Sequence, residues 1–198
     1  EIQTASAEEN RLWQQHYEEQ YRYTDSLPQP AIQSVYAEVD LYPSQQRYAV
    51  TGHYQIRNIH EWALDSALVN LHRVGKLESL EPEKGYIIDR DCAFGQYWIR
   101  FEPALEPGEA RKLDFAFSSN WSAFGERTAF NAIVKNGSFI RMSRYFPLFG
   151  YQADYALSNA EQRERRGLAP LEDQLKPLEA PLPDSSYAVQ IRKLGISA

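Results

Sequence analysis

Four histidines, one cysteine and 27 acidic residues are the groups in this chain whose types could hold a metal, attack a carbonyl or move a proton. His60-Glu61 begins the H-E-x-x-H pattern, which sets two imidazoles on one helix face beside a general base. Trp62-Ala63-Leu64 follows, so the second ligand is missing and His60 reads as a loop residue after a strand. His16, His53 and His72 stand at metal spacing neither with one another nor with His60, and His53 and His72 fall on alternating patterns as surface or cross-strand residues. Cys92, in Asp89-Arg90-Asp91-Cys92-Ala93, has acidic neighbours that disfavour the thiolate a nucleophile needs. A single cysteine also excludes an intrachain disulfide and any multi-thiolate zinc or iron–sulfur site. No G-x-S-x-G, G-x-x-x-x-G-K-S/T or G-x-G-x-x-G run occurs, so acyl and phosphate chemistry lack their usual signatures. Nothing in the spacing of the carboxylates singles out a glycosidase pair.

Charge and composition narrow the classes further. The chain has 198 residues, with 21 Lys+Arg against 27 Asp+Glu, a net charge of −6 and a pI near 5.3, which argues against a basic nucleic-acid binder. Its uncharged stretches, such as residues 26–37 and 115–125, fall short of the roughly 20 apolar residues of a membrane helix. A hydrophobic content of 43% with 13% aromatics supplies a core for one domain plus appendages and excludes wholesale disorder. The chain opens on Glu1 with no secretory leader, as expected of a piece cut from a longer protein. Two sequons, Asn120-Trp121-Ser122 and Asn136-Gly137-Ser138, are short enough to arise by chance. Tyrosines such as Tyr36, Tyr48 and Tyr54 could stack on sugar rings, but cross-strand packing suits them better. The 15 Arg against 6 Lys suit ion pairs as well as any anionic ligand.

The elements that would position these groups are mostly strands. Ser6-Ala7-Glu8-Glu9 is a capping box that predicts a helix to about Tyr23, with Trp13, Tyr17 and Tyr21 on one stripe, ended by Pro28 and Pro30. From residue 31 the period becomes two. Val35, Ala37, Val39 and Leu41, then Tyr48, Val50, Gly52, Tyr54 and Ile56, predict a hairpin turning at 43–46. Further strands are expected at 67–72, 77–80, 86–89, 96–101, 112–117, 127–134 and 138–143, with turns at Glu81-Pro82, Pro107-Gly108 and Asn136-Gly137. Ser158-Asn159-Ala160-Glu161 should cap a short helix closed by Gly167 and Pro170. Four prolines between 168 and 184 predict an extended tail, and 187–191 a strand or a frayed end. The fold class is therefore mainly β: an antiparallel β-sandwich or saddle with an N-terminal helix and an extended Pro-rich C-terminal tail. By element type the chain divides into helix and linker (1–30), β-domain (31–157) and short helix with tail (158–198).

The order of local signals resembles that of one known family. Residues 36–43 followed by 48–58, ending in Asn58, resemble the opening hairpin of the aminopeptidase N family of zinc metallopeptidases, and 103–109 with 113–117 are similar to its "pL-pGe…l-f-f" segment. The likeness is nearest to bacterial membrane proteins in which such a module is fused behind an ABC-type permease. There a Tyr-rich helix and a Gln-Pro like Gln29-Pro30 precede the first strand. Stretches like Asn136-Gly137-Ser138-Phe139-Ile140, then Pro147 to Tyr151, then Arg165-Arg166-Gly167-Leu168-Ala169-Pro170, follow in order. The likeness spans about residues 10–172.

The resemblance implies a noncatalytic, extracytoplasmic (periplasmic) N-terminal β-domain that scaffolds the cleft of a membrane-anchored peptidase. Zinc is expected only in a following catalytic domain, so this chain carries no catalytic, metal or cofactor residue of its own. The expected partners are that following peptidase domain and the adjoining permease segments, with no nucleic acid. In soluble relatives a Gln or Glu near the end of this domain helps hold the substrate's amino terminus; residues 138–150 have neither that Gln nor the Asp that follows it, so no substrate-binding residue carries over. The apolar run containing Phe146, Pro147, Phe149 and Tyr151 is the candidate interdomain contact. Two alternatives stand beside this reading: a β-sandwich that binds a glycan or peptide through its tyrosines, and an interaction domain of an ABC-type transporter without peptidase activity.

Overall fold

The structure is a computed structural model that describes residues 7–73, 75–120, 132–134, 137–139, 146–170 and 188–196. Two compact units emerge: one from the described parts of Pro28–Gly150 and Tyr187–Ala198, the other from those of Ala5–Leu27 and Tyr151–Ser186. This grouping is by contact, whereas the division at 30 and 157 was by element type.

The first unit is the β-domain. Strands β1 (Ala31–Tyr42) and β2 (Arg47–Arg57) form the expected hairpin, turning at Pro43–Gln45 with Gln46 in the left-handed region at φ 50°. The alternation resolves as read: Ala37, Val39 and Leu41 on β1, and Tyr48, Val50, Gly52, Tyr54 and Ile56 on β2, are buried, while Asp40, Thr51 and Arg57 are exposed. Then come β3 (Leu64–Asn70), β4 (Gly75–Pro82), β5 (Gly85–Asp91), β6 (Gln96–Leu105) and β7 (Ala110–Asn120). The short β8 (Ala132–Val134) and β9 (Gly137–Phe139) pair with each other, β10 is Leu148–Phe149, and β11 is Ala188–Ile196.

One sheet runs β11-β1-β2-β7-β4 and the other β10-β3-β6-β5. All pairings are antiparallel except that of β11, which lies parallel to β1 from Ser34↔Ala188 to Leu41↔Ile196. Their inner faces share one core, in which Val39, Ile56, Ala67, Ile99, Leu105, Leu113, Phe115 and Phe117 are almost fully buried. Burying a side chain of this size contributes about 1.5–3 kcal/mol. Ring geometry adds to it: Tyr54 meets Phe115 with centroids 4.6 Å apart, and Tyr48 meets Phe117 edge-on at 6.3 Å. Gly52 lets the hairpin strands close, because a Cβ there would lie 2.3 Å from the Tyr36 carbonyl oxygen and 3.1 Å from the Phe115 ring.

Several boundaries depart from the sequence reading: β4, β5 and β7 each run one to three residues past their expected ends, so Glu81-Pro82 belongs to β4 and the turn expected there falls at 83–84. The expected strand at 67–72 starts at Leu64 and stops at Asn70, so His72 is a buried loop residue beyond its end. The strand expected to end at 101 continues through Pro103 to Leu105, because the Arg111 guanidinium donates to the Pro103 and Ala104 carbonyls at 2.6 Å each. The terminal strand covers 188–196 rather than 187–191. Most of the extended tail, and most of the strands expected at 127–134 and 138–143, lie outside the described residues.

In the second unit α1 (Ala7–Tyr21) runs into a tighter helical turn, Arg22–Ser26; Ser6 of the capping box is outside the described residues. The stripe is real: Tyr17 and Tyr21 are buried, and Tyr17 stacks on both Trp13 (5.5 Å) and Tyr151 (5.3 Å). α2 (Ala160–Arg165) is capped by the Asn159 side chain, which accepts from the Gln162 N–H at 2.9 Å. Gly167 ends it at φ 68°, a conformation that favours glycine.

Candidate functional site

The sequence-selected chemical groups are dispersed. His16 is exposed on α1. His53 stacks on its cross-strand partner Tyr36 at 5.2 Å. The His60 ring lies 2.9 Å from the Gln29 carbonyl oxygen through Nε2 and stacks on Trp62. Among the described residues no three His, Cys, Asp or Glu side chains converge in a way that could hold a metal ion. Cys92 is exposed in the turn after β5 and lines, with Tyr97, Arg90 and residues 77–81 of β4, a cavity of about 230 Å³ where the edges of the two sheets face each other. Burial, together with the adjacent Cys92, pushes the Tyr97 phenol up to about 12, so it stays protonated there at neutral pH.

The candidate contact residues are engaged within this chain. Phe146 meets Phe115 and Phe117 edge-on at 5.8 and 5.6 Å. The Pro147 carbonyl accepts from the buried Tyr54 hydroxyl at 2.8 Å, and desolvation raises the pKa of that phenol. Phe149 pairs with Val69 as part of β10. Tyr151 belongs to the second unit, where burial, with a contribution from the Glu18 charge, pushes its phenol up to about 12.

What the structure does bring together are two of the features that carry the sequence resemblance, Asn58 and Pro107-Gly108-Glu109. Asn58 follows β2, is fully buried, and has every polar atom partnered. Its backbone N–H donates to the Glu109 carbonyl at 3.0 Å and its carbonyl accepts from the Gly108 N–H at 2.9 Å. Its Nδ2 donates to the Trp62 and Leu105 carbonyls at 2.7 and 2.8 Å, and its Oδ1 accepts from the His60 N–H at 2.9 Å. Glu109, the acid of the Pro107-Gly108-Glu109 motif, accepts the Glu106 N–H at 2.9 Å and a two-pronged pair from Arg111 at 2.8 and 2.9 Å. The Arg111 hydrogen bonds, then that of the Glu106 N–H, hold the Glu109 carboxyl below its ordinary value. Arg111 is 2% exposed, and its remaining donors reach backbone carbonyls of the chain.

This knot fastens the β2–β3 loop to the β6–β7 turn and leaves no polar side-chain atom of Asn58 free for a substrate. Its chemistry is positional. It presents two large apolar side chains to solvent, Ile59 at 66% and Trp62 at 57% exposed, beside the exposed Glu61 and Glu106.

Sequence reasoning missed a second constellation, inside the second unit. Glu18 on α1 and Arg163 on α2, 3% and 2% exposed, join through two contacts of 2.6 and 2.7 Å, and Arg22 adds a third to Glu18 at 2.6 Å. Desolvation pushes the Glu18 carboxyl up, but hydrogen bonds from Arg163 and Arg22 outweigh it and leave the pKa lowered. The available signal was the position of Glu18 beside Tyr17 on the edge of the aromatic stripe.

No protein-family model matches the chain, and no curated protein matches it. Solved structures that it resembles are M1 zinc metallopeptidases. An M1 zinc metallopeptidase from Deinococcus radiodurans is 10% identical over 54% of this chain and 25% of its own, with a TM-score of 0.40. A mutant of the enzyme from that organism, bound to a Tyr-Ser-Ala substrate, is 9% identical over 48% of this chain and 21% of its own, with a TM-score of 0.38. A two-domain M1 zinc metallopeptidase mutant bound to L-arginine is 10% identical over 56% and 26%, with a TM-score of 0.40. The chain thus spans about a quarter of the length of these proteins.

Proposed function

We propose that this chain is the noncatalytic N-terminal β-domain of a membrane-anchored, zinc aminopeptidase-like protein, standing on the extracytoplasmic side and scaffolding the cleft of a peptidase domain that follows it. The observation that carries the reading is the knot around Asn58. Two of the features that make the sequence resemble the aminopeptidase N family, Asn58 and Pro107-Gly108-Glu109, converge on one end of the sandwich and spend their hydrogen bonds on the backbone and on Arg111, within the domain. Residues engaged in that way set the shape of a domain rather than its reactivity. The mainly β architecture supports the same role, and fold and function are separate inferences.

In this reading zinc and the H-E-x-x-H ligands belong to the following domain, and permease segments adjoin it in the membrane. The test is the remainder of the native reading frame. An H-E-x-x-H with a distal Glu within a few hundred residues after Ala198 is expected. A frame that ends near Ala198, or that continues without those ligands, overturns the scaffold role and leaves a binding module or a transporter interaction domain.

A further inference from the structure

The loop of residues 58–63 exposes two large apolar side chains while being fixed by side-chain contacts from below. Asn58, at its start, ties the loop back on itself, donating to the Trp62 carbonyl and accepting from the His60 N–H. The His60 ring, lying against the Gln29 carbonyl, backs the Trp62 indole at a centroid distance of 5.3 Å and an interplanar angle of 24°. A loop so fixed loses little conformational entropy on binding, and a rigid, exposed Trp beside an Ile is the kind of anchor that dominates protein interfaces. Its surroundings are acidic. Glu61, Asp65 and Glu106 are exposed, and none has an ion-pair partner among the described residues, against the cations Arg57 at the start of the loop and Lys84, whose charge reaches Glu109. Such a rim disfavours an anionic bilayer surface and complements a basic one.

We propose that this loop is a docking knuckle: Ile59 and Trp62 insert into an apolar slot rimmed by Lys or Arg side chains on the following domain of the same polypeptide. The identity of that partner rests on the functional reading above; the apolar anchors and the acidic rim are this chain's own.

The test is acrylamide quenching of Trp62, obtained as the difference between each protein and its Trp62→Phe variant. It is measured in the 198-residue chain and in the native polypeptide carried through its following domain. Quenching severalfold weaker in the longer protein is expected, returning to the short-chain level when Glu61→Lys, Asp65→Lys and Glu106→Lys are combined. These positions are exposed, so circular dichroism of the short chain should not change; Ile59→Ser gives an independent second reading. Equal quenching in both proteins overturns the docking, and protection that survives the triple Lys variant overturns the basic rim. A blue shift of Trp62 emission on phosphatidylcholine–phosphatidylglycerol vesicles overturns the choice of a protein partner. A frame without a following peptidase domain refutes this proposal and the functional reading together. An intact peptidase domain with Trp62 still fully quenchable refutes the docking alone.

Discussion

Replacing Glu18 by Gln keeps the shape of the side chain but removes the charge that faces Arg163. The Arg163 guanidinium, 2% exposed, would keep only neutral acceptors, the Leu157 and Ala169 carbonyls, together with the new amide oxygen. Stranding a buried charge in this way costs about 3–5 kcal/mol. The opposite change, Arg163→Met, leaves Glu18 with Arg22, whose side chain is 46% exposed and can follow it toward water, so that loss should be smaller. Replacing both, as Glu18→Leu with Arg163→Met, removes the desolvation of two ions and should come close to wild type, as buried pairs exchanged for apolar side chains often do. The assay is hydrogen exchange of the α1 amides under native conditions, which reads the opening free energy of that helix directly. Single variants within 1 kcal/mol of wild type, or a double variant worse than Glu18→Gln, would refute the assignment of this pair as the fastener between α1 and α2. The pH dependence has a definite sign. The Glu18 pKa is lowered in the folded state, so the unfolded chain binds the proton more readily. The pair's contribution is complete above the unfolded value of about 4.5 and is lost as pH falls below it through the folded pKa.

Other perturbations test the β-domain. Gly52→Ala drives a methyl against the Tyr36 carbonyl across the hairpin and should cost about 1–3 kcal/mol in urea denaturation, whereas an unchanged midpoint would mean the strands stand further apart. Asn58→Ala leaves the Trp62 and Leu105 carbonyls without their donor at a fully buried position. A loss of about 2–4 kcal/mol is expected by the same assay, and a loss under 0.5 kcal/mol would contradict the knot. Tyr54→Phe strands the Pro147 carbonyl and should cost about 1–2 kcal/mol, with faster exchange of the Gly150 amide that follows it in the chain.

The β1–β2 hairpin was legible because each strand has one face in the core, so a period of two is written directly into residues 35–41 and 48–56. The same holds for α2, where Asn159 and Gly167 perform cap functions that depend on neighbours only a few residues away. What stayed hidden depends on partners far along the chain. Glu18 looks like any solvated acid on a polar helix until Arg163, 145 residues later, comes to meet it. Pro103 argues against a continuing strand, and only Arg111 shows how the backbone around it is satisfied. The parallel pairing of β11 with β1, Ser34 opposite Ala188, joins segments far apart in sequence, which no local periodicity encodes. Of the candidate contact residues, the apolar character was legible. Their destinations, such as Phe146 against Phe115 and Phe117, depend on which faces the sheets turn toward them.

The central claim, that this chain shapes a peptidase without performing its chemistry, is tested most directly by assaying aminoacyl-substrate hydrolysis side by side. The comparison is between the 198-residue chain and the longer native polypeptide, both supplied with zinc. The account predicts turnover by the longer protein alone, abolished by chelation and restored by zinc. Hydrolysis by the 198-residue chain itself, or none by a longer protein that carries intact zinc ligands, would contradict it.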